Sequence, residues 1–122
     1  MNPSTLLIVL ISITLSAVAQ VTMKYGVSQP DIQRNLAEPI TVLGYLATNG
    51  YVLAGLSLYG ISAVFWLFVL ARLDVTVAYP FIGIGFLLTM VFGAMALGEP
   101  IGALRIIGTL LVVTGVALVA QS

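Results

Sequence analysis

The chain has no cysteine and no histidine. Disulfide frameworks, thiolate chemistry, imidazole catalysis and zinc sites of the usual type are therefore excluded. The commonest proton switch near neutral pH is missing with the histidine. Charge is scarce as well. Four basic and four acidic residues make up 7% of 122 residues, where a soluble domain carries about 25%. The formal net charge is zero, so no basic footprint points to nucleic acid. No acid–base pair or nucleophile–base constellation is visible, so neither an enzyme nor a bound metal or cofactor is expected.

What the chain has is apolar length. Hydrophobic residues make up 61% of it, and its mean hydropathy is +1.19. The charges lie outside, or at the edges of, apolar runs at roughly residues 6–23, 51–71, 75–97 and 101–120. Each run is near the ~20 residues that a helix needs to cross ~30 Å of hydrocarbon. The expected fold is an all-α membrane protein in a single domain, with four spans at about 4–25, 50–72, 75–98 and 100–121. No basic residue precedes the first run, so it is read as a transmembrane helix rather than a cleaved signal peptide.

Punctuation between the runs is consistent with this. Asn2-Pro3-Ser4 supplies a helix cap with proline in the first turn. The connector 27–50 carries Asp31, Arg34 and Glu38. Its second half, 39–46, is apolar but too short to span. It forms either a short interfacial helix begun by Pro39 or an extension of the second span. Asn49-Gly50 marks a break, Arg72-Leu73-Asp74 and Gly98-Glu99-Pro100 mark tight turns, and Pro100 is expected at or near the start of the fourth helix. Four crossings place Lys24, Arg34 and Arg105 on one side and Arg72 on the other. The positive-inside rule then favours the Lys24 side as cytoplasmic. The excess is small enough to leave dual insertion open.

Polar residues inside the spans are few and patterned. Ser12, Ser16, Gln20 and Lys24 recur every four residues along one face of the first span. Such groups must find a partner in lipid, either by hydrogen bonding between helices or by lining a path. In the third span, Ala78-Tyr79-Pro80-Phe81 is followed by Gly83 and Gly85, which reads as a hinge or a packing bend. Tyr79 is either an interface aromatic or a ligand contact. Arg105 near the start of the fourth span, beside Glu99, would hold a phosphate with Lys24, or would pair with Glu99. A Lys24–Glu99 pair is the third option. Gly108 and Gly115, seven residues apart, offer a face for close helix packing in a dimer.

Taken in order, these residues resemble the drug/metabolite transporter superfamily (EamA-like), and within it the four-helix small multidrug resistance family. That likeness implies dimers that act as antiparallel pairs. The hallmark glutamate of that family's first helix is Ser16 here, which argues against proton-coupled export of cations. Ser16-Ala17-Val18-Ala19-Gln20 followed by Lys24, Trp66-Leu67-Phe68-Val69-Leu70, Ala78-Tyr79-Pro80 and Glu99-Pro100 are similar to segments of the paired small subunits that flip aminoarabinose linked to undecaprenyl phosphate. This resemblance implies a bacterial inner-membrane flippase for a polyprenyl-phosphate-linked sugar. It implies a homodimer, or a heterodimer with a similar small subunit. On that reading Gln20, Lys24, Tyr79 and Arg105 would contact phosphate or sugar, with Ser16, Trp66 and Glu99 nearby. Two other readings remain: a drug or metabolite exporter with an aromatic pocket of Phe65, Trp66 and Tyr79, and a non-transporting accessory subunit.

Overall fold

The computed structural model describes residues 2–122. Helix α1 spans Pro3–Val27, α2 Pro30–Arg34, α3 Pro39–Thr48 and α4 Gly50–Arg72. Next come α5 at Val75–Ala78 and a 3₁₀ turn at Tyr79–Phe81, then α6 at Ile82–Leu97 and α7 at Ala103–Gln121. Four segments are long and apolar enough to cross a membrane: Pro3–Val27, Gly50–Arg72, Val75–Leu97 and Ala103–Gln121.

Helix α1 starts where the sequence places it. The Asn2 side chain accepts a hydrogen bond from the Thr5 N–H at 2.8 Å, with Pro3 in the first turn. The stretch begun by Pro39 is a separate helix, α3, and not an extension of α4. Asn49 adopts an extended conformation between the two (ψ 119°). Its side chain accepts from the N–H groups of Tyr51 and Val52 and donates to the carbonyl of Gly26 at 3.2 Å. One asparagine thus starts α4 and ties it to the end of α1. Gly26 leaves room for this, since a Cβ there would lie 2.8 Å from Asn49 Oδ1. Loss of the cap costs about 1 kcal/mol. Asn49→Ala should therefore lower the melting temperature in detergent, and Asn49→Ser, which keeps the cap but not the bond to Gly26, should recover part of the loss.

Helices α1 and α4 form the main pair, α6 packs on α1, and α7 packs mainly on α6 and the 3₁₀ turn. The α1–α4 crossing is close at Gly55, where a Cβ would collide with Met23 Cγ and lie 3.0 Å from the Ala19 carbonyl oxygen. Farther along, Ser12 Oγ donates to the Ser62 carbonyl at 2.9 Å in a buried bond. The α6–α7 approach depends on Gly83, which faces Val112 and Val116. The buried cluster is Val9, Val69, Ala78, Phe81 and Val116. These residues come from the start of α1, the end of α4, the start of the third span and the end of α7. All four spans therefore close together at the Arg72 end.

The spans differ in burial. The last span is 6% buried in its apolar window, against 28% for the first. Helix α7 starts at Ala103 with Gly102 as its cap residue, so Pro100 lies in the connector and not in the first turn. The cause is Gly98, whose left-handed conformation (φ 68°) ends α6 and redirects the chain. Neither expected ion pair of Glu99, with Arg105 or with Lys24, forms. Among the described residues the one ion pair is Asp31–Arg34 at 3.1 Å.

Candidate functional site

A cavity of about 920 Å³ lies between the four spans. Helix α1 contributes Ser12, Ser16 and Gln20, three members of its polar stripe. Helix α4 contributes Tyr59, Ser62 and Trp66, and the third span contributes Tyr79, Phe86 and Thr89. Glu99, Arg105, Gly108 and Thr109 complete the lining from the last connector and α7. Helices α4 and α7 both line it but make no extensive contact with each other. The cavity therefore has a side opening between them.

Chain direction orders these groups along the membrane normal. Gln20, Glu99 and Arg105 lie towards one end, Ser16, Tyr59 and Thr89 midway, and Trp66 and Tyr79 towards the other. About eighteen residues separate Tyr79 from the end of α6, a rise of roughly 27 Å. One headgroup cannot touch Tyr79 and Arg105 together. The expected constellation is thus spread over two ends of one cavity. Lys24 is exposed and lies outside the lining, one helical turn past Gln20. Its carbonyl accepts a 2.6 Å bond from Ser28 Oγ.

The polar stripe divides by role. Ser12 is used up in the bond that holds α1 to α4. The side chains of Ser16, Gln20, Tyr59, Tyr79 and Thr89 have no hydrogen-bond partner among the described residues. Arg105 Nη1 donates to the Pro100 carbonyl at 3.2 Å, which steadies the guanidinium at the cavity end. Gly83 is buried in the α6–α7 contact, and a Cβ built on Gly85 would lie 3.9 Å from Ile13 Cβ. Both glycines are packing positions in this conformation, and the departure from α geometry is at Pro80 in the 3₁₀ turn. Nothing lies within 4 Å of a Cβ built on Gly108 or Gly115.

The aromatic lining differs from the expected one. Trp66 and Tyr79 belong to it, Phe65 does not, and Tyr59 and Phe86 do. Tyr59 had a legible signal: with Ser62 and Trp66 it forms an i, i+3, i+7 face on α4. Thr89 follows Ile82 and Gly85/Phe86 with the same helical spacing.

The chain is similar to curated proteins of Pseudomonas named as probable 4-amino-4-deoxy-L-arabinose-phosphoundecaprenol flippase subunit ArnE. It is 30% identical over 116 residues to that of Pseudomonas fluorescens strain Pf-5, covering 95% of this chain and 96% of the relative. It is 32% identical over 90 residues to that of Pseudomonas savastanoi pv. phaseolicola, covering 66% and 79%. With that of Pseudomonas syringae pv. syringae it is 38% identical over 61 residues, and there the chain spans about half the relative's length, 56%. No family model matches the chain, and no solved structure matches it.

Proposed function

Because this chain belongs to the family of ArnE-type small flippase subunits, we propose that it moves a polyprenyl-phosphate-linked sugar across the bacterial inner membrane. The observation that carries this reading is a largely apolar cavity with a row of polar side chains along it, opening sideways between α4 and α7. Such a slot admits a headgroup while its prenyl tail stays in lipid. The phosphate enters at Arg105 and passes Gln20, Ser16, Tyr59 and Thr89, whose hydroxyl and amide groups replace water one after another. Tyr79 and Trp66 receive the headgroup at the far end.

The neutral midsection favours an anion. A carboxylate at Ser16, about 4 Å from a passing phosphate, would cost on the order of 4 kcal/mol at an effective dielectric constant near 20. All four spans share one buried cluster at the Arg72 end, whereas at the Arg105 end the close contacts are those of α1 with α4. This conformation is therefore the one open to the Lys24 side, the cytoplasmic side by its basic residues. Bending at the Pro80 turn, with Gly83 sliding on Val112 and Val116, opens the other end.

The working unit is a dimer with a second copy or a similar small subunit, either of which covers the face of α7 that bears Gly108 and Gly115. Helix α3 lies in the headgroup layer, with Ile40 (86% exposed) and Leu43 towards the lipid. Mass spectrometry of lipids that copurify with the protein should find a polyprenyl-phosphate sugar enriched over bulk phospholipid. Recovery of phospholipid alone, together with protection of cells against quaternary ammonium compounds, would favour a drug exporter built on Tyr59, Trp66, Tyr79 and Phe86.

A further inference from the structure

We infer that Ser12 and Ser62 form an acceptor-only site for ring hydroxyls of the headgroup, so that the sugar leads into the cavity and the phosphate follows. This rests on the transport reading above and assigns two lining residues that the phosphate path does not use. Both serines line the cavity, and both are buried, at 3% and 4% exposure. Ser12 Oγ lies 2.9 Å from the Ser62 carbonyl oxygen, and Ser62 Oγ lies 2.7 Å from the Tyr59 carbonyl oxygen. A carbonyl oxygen only accepts, so each serine proton is committed to the backbone. Each hydroxyl oxygen keeps a lone pair and has no proton left to offer. Thr109, on the α7 wall of the cavity, is held alike, since its hydroxyl donates to Met90 Sδ at 3.7 Å. Ser62 and Thr109 lie at one depth. Each is seven residues, about 10 Å of helical rise, from Val69 and Val116, which share the buried cluster at the Arg72 end.

The lining nearer Arg105 has the opposite sense. Arg105 offers only N–H donors. Gln20, Ser16, Tyr59 and Thr89 each carry a side-chain donor that bonds no described residue. A phosphodiester has oxygens and no proton at neutral pH, so these donors match it. At Ser12, Ser62 and Thr109 its oxygens would face oxygens, and buried acceptors would stay unpaired. A sugar hydroxyl carries a proton that fits a serine lone pair. The two ends of the headgroup are thus sorted by hydrogen-bond sense. In this conformation the phosphate stays on the Arg105 side of Ser16. The ring hydroxyls reach Ser12 and Ser62, one helical turn deeper along α1.

The test uses the protein in proteoliposomes, with any subunit that copurifies with it. Translocation is read with an impermeant amine reagent for three short-chain polyprenyl phosphates of one 4-amino pentose. Its ring hydroxyls are free, O-methylated or replaced by hydrogen. The methyl ether keeps the acceptor oxygen and loses the donor, and the deoxy sugar loses both without added bulk. The wild type should move the free-hydroxyl lipid at least about tenfold faster than either of the others, the size expected for two ordinary hydrogen bonds. Ser62→Ala should narrow that ratio about threefold or more. It should melt close to the wild type, because it keeps the carbonyl that Ser12 uses. A methyl ether that moves as fast as the free-hydroxyl lipid in the wild type overturns the acceptor site while the transport reading stands, and this comparison needs no variant. A slow ether beside a fast deoxy lipid would mean bulk alone and overturns it too, as does a full preference kept by folded Ser62→Ala. If no lipid moves, the transport reading itself fails, and the site with it.

Discussion

Gly55→Val is expected to unfold most of the protein in detergent. The side chain would enter the α1–α4 crossing against Met23 Cγ, the Ala19 carbonyl oxygen and the Met23 N–H. Two of these three obstacles are backbone atoms, which cannot rotate away as a side chain can. Overpacking of a well-filled contact costs about 1–3 kcal/mol where side chains can adjust, and backbone clashes put Gly55 at or above the top of that range. The consequence spreads because this crossing also holds the Ser12–Ser62 bond and the Asn49–Gly26 bond in register. Helix α6 packs on α1, so separation of α1 from α4 removes one wall of the cavity. Thermal melting followed by circular dichroism should show a lower transition or none. Gly60→Val on the same helix, where a Cβ meets nothing within 4 Å, should melt like the wild type.

Arg105→Gln is expected to slow translocation of a polyprenyl-phosphate sugar by about 10- to 100-fold, because one hydrogen bond to a charged group contributes roughly 1.5–3 kcal/mol. The fold should survive, since Arg105 is exposed and its one intramolecular bond is to a connector carbonyl. Lys24→Gln should slow translocation much less, because Lys24 lies outside the cavity lining. Equal losses in the two variants would mean that the phosphate is held at the membrane surface and not inside the cavity.

Spans were legible in the sequence because their signal is length and lack of charge, which lipid enforces directly. One helix start was legible: Asn2 caps α1 as its position suggests, whereas Asn49, which reads only as a break, also caps α4. The fourth helix was misplaced by about three residues. Pro100 looks like a first-turn proline, but Gly98 in its left-handed conformation consumes the following residues in a connector. Nothing in the local pattern separates those two outcomes.

The site was half legible. Ser16, Gln20, Trp66, Tyr79, Glu99 and Arg105 do line one cavity, because polar residues in apolar spans have few places to go. Their separation into two ends depends on which way each helix runs and where it is cut, and residue type alone does not carry that. Gly83 shows the same limit from the packing side. Beside Pro80 it reads as a hinge, whereas its burial against Val112 and Val116 depends on how α7 leans, which only the assembled helices reveal.

The most direct test of the central claim is translocation of a polyprenyl-phosphate amino sugar by the protein, with any copurifying subunit, in sealed proteoliposomes. Appearance of the labelled headgroup in the opposite leaflet is read by its access to an impermeant amine reagent. Movement well above that in protein-free vesicles is expected, reduced at least about tenfold by Arg105→Gln. Movement at the protein-free rate, or movement indifferent to Arg105, would contradict it.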